Sequence, residues 1–413
     1  MTITEPTADA GPTQKVAIDF VLRLGRALHN YGYAAHLLEE SLELAARRLN
    51  LIGQFFSTPT SIFAAFGRQT EQHTHLIRVE PGEVDLGKLA ALHDVTGAVL
   101  RERMSPGQGS QAIDDIVSAR SSYGPVISTV AFGLTSGGAS VFLGGGASEG
   151  AVATGIGIVI GLAALVLVRT PAVARIFEPV AAFLASLIAA SAAAVLGGLS
   201  VFVATLAGLI VLLPGLTLTI AITELSTRHL VSGTARLSHA FMIFLGIAFG
   251  VALGNRLATE SAPQVPIIPA TPLPSWAIWI ALVVAPLGFA VLLRAAIRDW
   301  PWIIGAGLVA YFGARFGTSA LGNELGVFVG ALSVGLASNL YARVFDRPAA
   351  VTQVPGILLL VPGSVGFRSL SRLLDRDVVL GVETAFTMIL SAVALVAGLL
   401  IANVVLRPSR RLD

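Results

Sequence analysis

The residues best placed to do chemistry lie between Leu212 and Arg236, in LLPGLTLTIAITELSTRHLVSGTAR. Thr219, Thr223 and Ser226 fall on one helical face, with Glu224 beside them. Hydroxyls suit a small polar ligand, although a helical Thr also bonds back to its own backbone. An acid so close to an apolar run is costly unless it is paired or functional, and Arg228, four positions on, is one available partner. Upstream, Pro214-Gly215 breaks the run. A broken helix inside a bilayer leaves N–H and C=O groups unpaired unless they line a cavity or a ligand. A lone Pro-Gly pair can equally end or kink a helix.

This stretch occurs twice. A shift of 148 positions sets Gly208, Leu212, Pro214, Gly215, Leu225, Arg228, Val231 and Gly233 on Gly356, Leu360, Pro362, Gly363, Leu373, Arg376, Val379 and Gly381 without a gap. Paired breaks in two halves of a membrane protein point to a transporter binding site. The candidate site is therefore Pro214, Gly215, Thr219, Thr223, Glu224 and Ser226 from the first copy, with Pro362, Gly363, Ser364 and Arg372 from the second. Arg372 takes the repeat position of Glu224, so the two are expected to face each other across a pseudo-two-fold axis. An acid, an arginine and two half-helix N-termini suit a zwitterion, with its ammonium near Glu224 and its carboxylate near a positive helix end. Glu224 is also the candidate for proton coupling.

The elements that must position these residues are set by composition. With 54% hydrophobic and 13% charged residues and a mean hydropathy of +0.78, the chain is expected to be an integral membrane protein. A helical crossing needs roughly 20 apolar residues. Ten stretches qualify: 126–143, 150–168, 178–197, 199–222, 237–254, 275–293, 301–317, 322–342, 350–367 and 378–406. The fourth and ninth hold the Pro-Gly breaks. Residues 1–124 are richer in charge and read as a small α+β domain outside the bilayer. There Phe20, Leu24 and Leu28 share one helical face and Leu37, Leu44 and Leu51 another. A β-favouring stretch from Gln54 to Phe63 follows, then another over 75–79 and a helix from about Asp85 to Arg103. The expected boundaries are 1–124 for this domain, 125–258 for a first five-helix repeat, 259–274 for a proline-rich linker and 275–413 for a second repeat. Five spans per half is odd, so joined homologous halves must cross in opposite senses, an inverted-topology repeat. Most arginines, among them Arg175, Arg228, Arg236, Arg294, Arg298, Arg343, Arg347 and Arg407, fall on the side of the amino-terminal domain, which puts both termini in the cytoplasm. Arg368, Arg372 and Arg376 do not fit unless they line a cavity.

Other signals are bland. Gly133, Gly137, Gly157, Gly161, Gly246, Gly250, Gly254, Gly313 and Gly317 sit in small-xxx-small patterns and are expected to pack helices. Gly144-Gly145-Gly146 lacks a following Lys-Ser/Thr, so a turn is expected rather than a phosphate cradle. The chain has no cysteine, no Walker sequence to drive an ATP pump and no nucleophile elbow, and His73 and His75 lack partners for a metal site; no cofactor, metal or enzymatic activity is expected. A net charge of +2, with lysine only at Lys15 and Lys88, gives no reason to expect a nucleic-acid partner. The first 15 residues are polar and suggest no signal peptide.

Three segments also carry a resemblance: Gln54 to Phe63 (QFFSTPTSIF), Glu224 to Leu237 (ELSTRHLVSGTARL) and Pro355 to Leu370 (PGILLLVPGSVGFRSL). Together they resemble the bacterial threonine/serine exporter family over nearly the whole chain. The resemblance implies a ten-helix inner-membrane exporter with a cytoplasmic amino-terminal domain, moving threonine and serine outward at the expense of the proton gradient. Two-chain relatives in that family are linked to the dicarboxylate succinate, which keeps a dicarboxylate substrate open. Also open are a passive channel, a homo-oligomer, and a membrane-anchored protein whose soluble domain carries the function.

Overall fold

The computed structural model describes residues 11–408 except 69, 81, 168, 169, 262–268 and 375; residues 262–268 of the expected proline-rich linker thus lie outside the described residues. The amino-terminal part begins with α1 (Pro12–Asn30) and α2 (Ala35–Arg48) and continues through a three-stranded antiparallel sheet, β1 (Gly53–Thr58), β2 (Ser61–Phe66) and β3 (His73–Arg78). It ends with α3 (Leu86–Leu100) and α4 (Pro106–Ser118). Phe20, Leu24, Leu38, Leu42, Ile62, Leu86, Leu92 and Ile113 form its core, into which Ala290, Ala295 and Ile303 of the membrane helices also pack. The domain is thus seated on the helix ends, as backbone bonds from Leu86 N to Leu293 O (2.9 Å) and from Gly87 N to Arg294 O (3.1 Å) confirm.

The structure refines the reading of this domain at three places. The β-favouring stretch from Gln54 to Phe63 is strand as expected, folded as a hairpin: Thr58 lies opposite Ser61, and Pro59 and Thr60 make the turn. On α2 the core face is Leu38, Leu42, Ala45 and Ala46, while Leu37 and Leu44 look the other way. The helix α4 was not expected, although its capping box was legible: Ser105 accepts from Gln108 N, and the Gln108 side chain accepts from Ser105 N.

Each of the ten apolar stretches contains helix among the described residues, the fourth and ninth in two pieces. The first five give α5 (Pro125–Phe142), α6 (Ala147–Leu167), the short α7 (Pro171–Ala174), α8 (Phe177–Leu196), α9 (Val201–Gly208), α10 (Gly215–Ser226) and α11 (Leu230–Ser261). The rest give α12 (Trp276–Leu292), α13 (Trp300–Leu321), α14 (Asn323–Phe345), α15 (Ala350–Leu358), α16 (Gly363–Leu374) and α17 (Val378–Val405). Among the described residues seven segments are long and apolar enough to cross a membrane, one of them the α15–α16 pair taken together.

The packing recurs between the halves: α8 lies along α11 as α14 lies along α17, and α10 packs on α11 as α16 packs on α17. Backbone hydrogen bonds repeat at the sequence offset of 148. Leu212 N to Leu209 O (2.9 Å) recurs as Leu360 N to Ile357 O (2.8 Å), and His229 N to Glu224 O (2.8 Å) as Asp377 N to Arg372 O (3.0 Å). Arg228 and Arg376 both adopt a left-handed conformation at the matching helix ends, with φ of 67° and 63°. Between α5 and α12 the contacts are reciprocal: a Cβ on Gly138 would meet Ala285, and one on Gly288 would meet Thr135. The small-xxx-small glycines pack helices as expected, Gly250 and Gly254 against α8 and Gly313 and Gly317 against α14.

Candidate functional site

Proline has no N–H to continue a helix and its ring clashes with the carbonyl four residues back. The chain therefore stops at Gly208 and restarts at Gly215, then stops again at Leu358 and restarts at Gly363. The two restarts abut. A Cβ on Gly215 would lie 2.1 Å from Val361 Cγ1 and 3.6 Å from Gly363 Cα, and one on Gly363 would lie 3.5 Å from Gly215 Cα. Pro214, Gly215, Pro362 and Gly363 are buried at this crossing, and Ser364 is partly buried beside it. The first-turn N–H groups of α10 and α16, which have no partner within their helices, thus gather at one place.

From this crossing α10 runs along a cavity of about 520 Å³ between the amino-terminal domain and the membrane helices. Leu216, Thr219, Ile220 and Thr223 of α10 form one wall. Facing them are Asn339 of α14, Ala349, Ala350 and Gln353 at the start of α15, and Asn403 near the end of α17. The roof is α2, through His36, Leu37, Glu40, Glu43, Leu44 and Arg47, joined by His93 of α3 and by Arg347. Arg347 Nη1 is buried and, among the described residues, unpartnered. The cavity is mostly apolar with polar groups of both signs at its rim, the usual make-up of a small-molecule site.

The predicted hydroxyl face is only partly in the cavity. Thr219 and Thr223 line it, whereas Ser226 is exposed beyond it. Both threonines bond back along the helix, Thr219 Oγ1 donating to Gly215 O (3.1 Å) and Thr223 Oγ1 to Thr219 O (2.8 Å). Their oxygens stay available as acceptors, which suits an ammonium or a hydroxyl donor.

The expected pairing of Glu224 with Arg372 is overturned. Glu224 is 0% exposed and its carboxylate is occupied by three donors: Ala35 N (2.9 Å) and Arg236 Nε (3.1 Å) on Oε1, and Ser232 Oγ (2.8 Å) on Oε2. Arg228 is exposed and is not its partner either. Arg368 and Arg372 are exposed on α16, which runs away from the cavity, and neither lines it. The physical reason is direction. α10 and α16 meet at their first residues, Gly215 and Gly363, whereas Glu224 and Arg372 lie at the other ends of the two helices, away from that contact.

Beside Glu224 the same seam gathers titratable groups. His229 Nε2 lies 3.2 Å from Glu39 Oε2, and the His36 and His229 rings are 5.9 Å apart. Burial, helped by the His229 charge, pushes His36 down to about 4, and burial raises Glu39. His29, with Nε2 3.0 Å from Thr58 O, is lowered by burial. Sequence reasoning missed Asn339, Gln353, Asn403 and Arg347. Amides inside apolar spans were the available signal for the first three, while Arg347 was read only as an orientation marker.

A family model of threonine/serine exporters matches residues 19–258, and a second, described as threonine/serine exporter, ThrE, matches residues 278–405. Among curated proteins, the chain is 28% identical over 367 residues to pheromone-regulated membrane protein 10 of Candida albicans, which covers 85% of this chain and 33% of that protein. It is 28% identical over 368 residues to the Kluyveromyces lactis protein of that name (85% and 38%) and 25% over 370 residues to the Eremothecium gossypii one (85% and 48%). The chain thus spans about a third to a half of the length of these relatives. No solved structure matches it. Both matched models describe transporters and not enzymes, and both fall on a multi-pass membrane protein. With one model covering more than half of its length, this chain belongs to the threonine/serine exporter family.

Proposed function

We propose that the chain is a secondary exporter of small hydroxy amino acids, threonine and serine, driven by the proton gradient. The observation that carries this reading is the junction of the two Pro-Gly breaks with the cavity: Gly215 touches the Gly363 turn, and one helical turn further on Thr219 lines the cavity. A substrate in the cavity meets Thr219 and Thr223 as acceptors for its ammonium, with Glu40 and Glu43 adding negative charge at the rim. Its carboxylate is drawn to Arg347 and to the start of α15, and onward to the gathered N-termini of α10 and α16. Asn339 and Asn403 offer amides to a side-chain hydroxyl.

In this reading residues 125–258 and 275–413 are two five-helix repeats of opposite topology, ten spans in all, joined by the 259–274 linker. The recurrent hydrogen bonds and the reciprocal α5–α12 contacts support it. The domain of residues 1–124 sits on the arginine-rich face, which in this reading is the cytoplasmic one, and the resemblance to bacterial exporters makes the membrane the inner membrane. Glu224 is the coupling acid: protonation would remove acceptor capacity from a carboxylate that ties α10 to Ala35 at the head of α2, and so link proton binding to how the domain caps the cavity.

A second reading, export of a dicarboxylate, is favoured by one observation, that Arg47 and Arg347 both line the cavity. Counterflow in proteoliposomes separates the two. Vesicles loaded with unlabelled threonine, serine or succinate are offered the labelled compound outside, with wild type and Glu224→Gln compared under an imposed pH gradient. Accumulation of threonine or serine is expected, with the pH response lost in Glu224→Gln. Accumulation of succinate alone would overturn the substrate assignment, and accumulation of none would overturn the exporter.

A further inference from the structure

We propose that Glu149 and Asp299 are equivalent positioning residues that latch the two mouths of the transporter in turn, a reading that rests on the inverted repeat above. At an offset of 150 positions Glu149 falls on Asp299. The frame is set by the turns just before them, where Leu143 N to Ala139 O, Gly144 N to Val141 O and Gly145 N to Ser140 O recur as Leu293 N to Phe289 O, Arg294 N to Val291 O and Ala295 N to Ala290 O. Both carboxylates are buried, at 2% and 3% exposure, and each stands at the start of the helix that follows its turn, α6 or α13.

Their partners differ. Glu149 Oε2 accepts from Gly146 N (2.9 Å), and its Oε1 accepts from Ser200 N (2.8 Å), the N-cap of α9. Glu149 therefore holds the head of the first broken span. Asp299 Oδ1 accepts from Tyr341 Oη (3.0 Å), but its Oδ2 has no partner among the described residues. At the offset of 148 that pairs Thr205 with Gln353, Ser200 falls on Pro348, which has no N–H; the first N–H at the head of α15 is that of its N-cap, Ala349, which lines the cavity instead of meeting a carboxylate. Two residues before it, Arg347 Nη1 is also buried and unpartnered among the described residues.

Packing independently divides the halves the same way. Phe367 occupies the repeat position of Thr219. Thr219 lines the cavity, whereas Phe367 is 1% exposed and buried among Leu199, Leu206, Leu209 and Phe244. Thr205 and Gln353 are likewise equivalent, and Thr205 is 2% exposed while Gln353 lines the cavity. The latched side is packed shut and the unlatched side is open. In an inverted repeat the opposite state arises when the halves exchange conformations. Asp299 then takes the head of α15, with Arg347 closing over it, while Glu149 releases Ser200. Each state leaves one buried carboxylate oxygen unsatisfied, a cost that is the same in kind on both sides and so keeps the two states close in energy.

The native chain has no cysteine, so single-cysteine reporters can be placed directly. Thr205→Cys reports the closed side and Gln353→Cys the open side, each read as the rate of maleimide labelling of detergent-solubilised full chain without substrate. Glu149→Gln is expected to speed Thr205→Cys and slow Gln353→Cys by about tenfold, the worth of one hydrogen bond to a charged group. Asp299→Asn is expected to do the reverse. Ser200→Pro, which removes the N–H that Glu149 holds and leaves the acid in place, is expected to match Glu149→Gln, and it serves if either acid variant fails to fold; φ at Ser200 is −77°, a value proline accepts. Shifts of the same sign from Glu149→Gln and Asp299→Asn, or shifts under about twofold, overturn the latch. Because labelling needs no substrate, opposite shifts in a protein inert in counterflow would leave the latch standing and remove the exporter, while counterflow with same-sign shifts would remove the latch alone.

Discussion

The end of α10 and the end of α16 share a backbone and differ in the side chain that Glu224 and Arg372 contribute and in what covers it. Both close with the same hydrogen bonds and a left-handed arginine, Arg228 in one and Arg376 in the other. Yet Glu224 on α10 is sealed under α2 and Arg236, while Arg372 at the same repeat position is exposed. What the two ends have in common is the break, the crossing and the helix-end turn, which backbone sterics enforce. What it leaves free is the side chain at the outer end, and only the end that meets the amino-terminal domain has turned that freedom into a buried polar junction.

The sharpest way to break this comparison is to empty the junction. Glu224→Ala leaves the Arg236 guanidinium, Ala35 N–H and Ser232 hydroxyl without their common acceptor, and removing one partner of a buried ion pair costs about 3–5 kcal/mol. Thermal unfolding of the solubilised protein should show a loss of that size, and a loss below about 1 kcal/mol would mean the domain is not held here. The crossing comes next. With a Cβ placed 2.1 Å from Val361 Cγ1, Gly215→Ala should cost about 1–3 kcal/mol through overpacking and depress counterflow. Gly363→Ala meets nothing nearer than Leu213 Cβ at 3.3 Å and should cost less. Equal costs would argue against the crossing as described.

How far the sequence could be read follows the same division. The ten apolar stretches, the breaks and the packing glycines were legible because they are local: a run of leucine and valine, a Pro-Gly pair and a small-residue period each dictate a backbone outcome. Of the three partners of Glu224, Ser232 and Arg236 lie within the same stretch, but Ala35 was not legible, because it lies 189 positions away and donates a backbone N–H that has no residue-type signature. The cavity was hidden for a similar reason. Leu37 and Leu44 read as a core stripe, but α2 has two apolar faces, and only docking decides that Leu38 and Leu42 take the core. Thr219 and Thr223 were found because hydroxyls in an apolar helix stand out, whereas Ser226, at the same spacing, falls one turn past the cavity.

The seam also predicts a pH response. His36 is pushed down to about 4 in the folded chain, against 6.5 for an exposed histidine. A base whose pKa falls on folding binds its proton first in the unfolded chain, so its contribution to stability is complete above about pH 6.5 and is lost as the pH falls toward about 4. His29, lowered by burial, acts in the same sense. Glu39, raised by burial, opposes them, because its proton binds more readily in the folded chain. Between pH 7 and pH 5 the histidines dominate, and about 1–2 kcal/mol of stability should disappear. His36→Gln should flatten that slope in a pH series of unfolding midpoints; an unchanged slope would assign the response elsewhere.

The smallest expected effect is the control for all of these. Arg372 sits where Glu224 sits in the other half, and had the two faced each other, Arg372→Gln would unpair a buried acid and cost nearly as much as Glu224→Ala. Exposed on α16, it should instead change stability by less than about 0.5 kcal/mol, as surface substitutions do. The double variant Glu224→Ala with Arg372→Gln should then lose no more than the sum of the single changes, because residues that share no partner add independently. A coupling of 1 kcal/mol or more between them would restore the pairing across the axis and show that α10 and α16 approach each other at their far ends in a state other than this one.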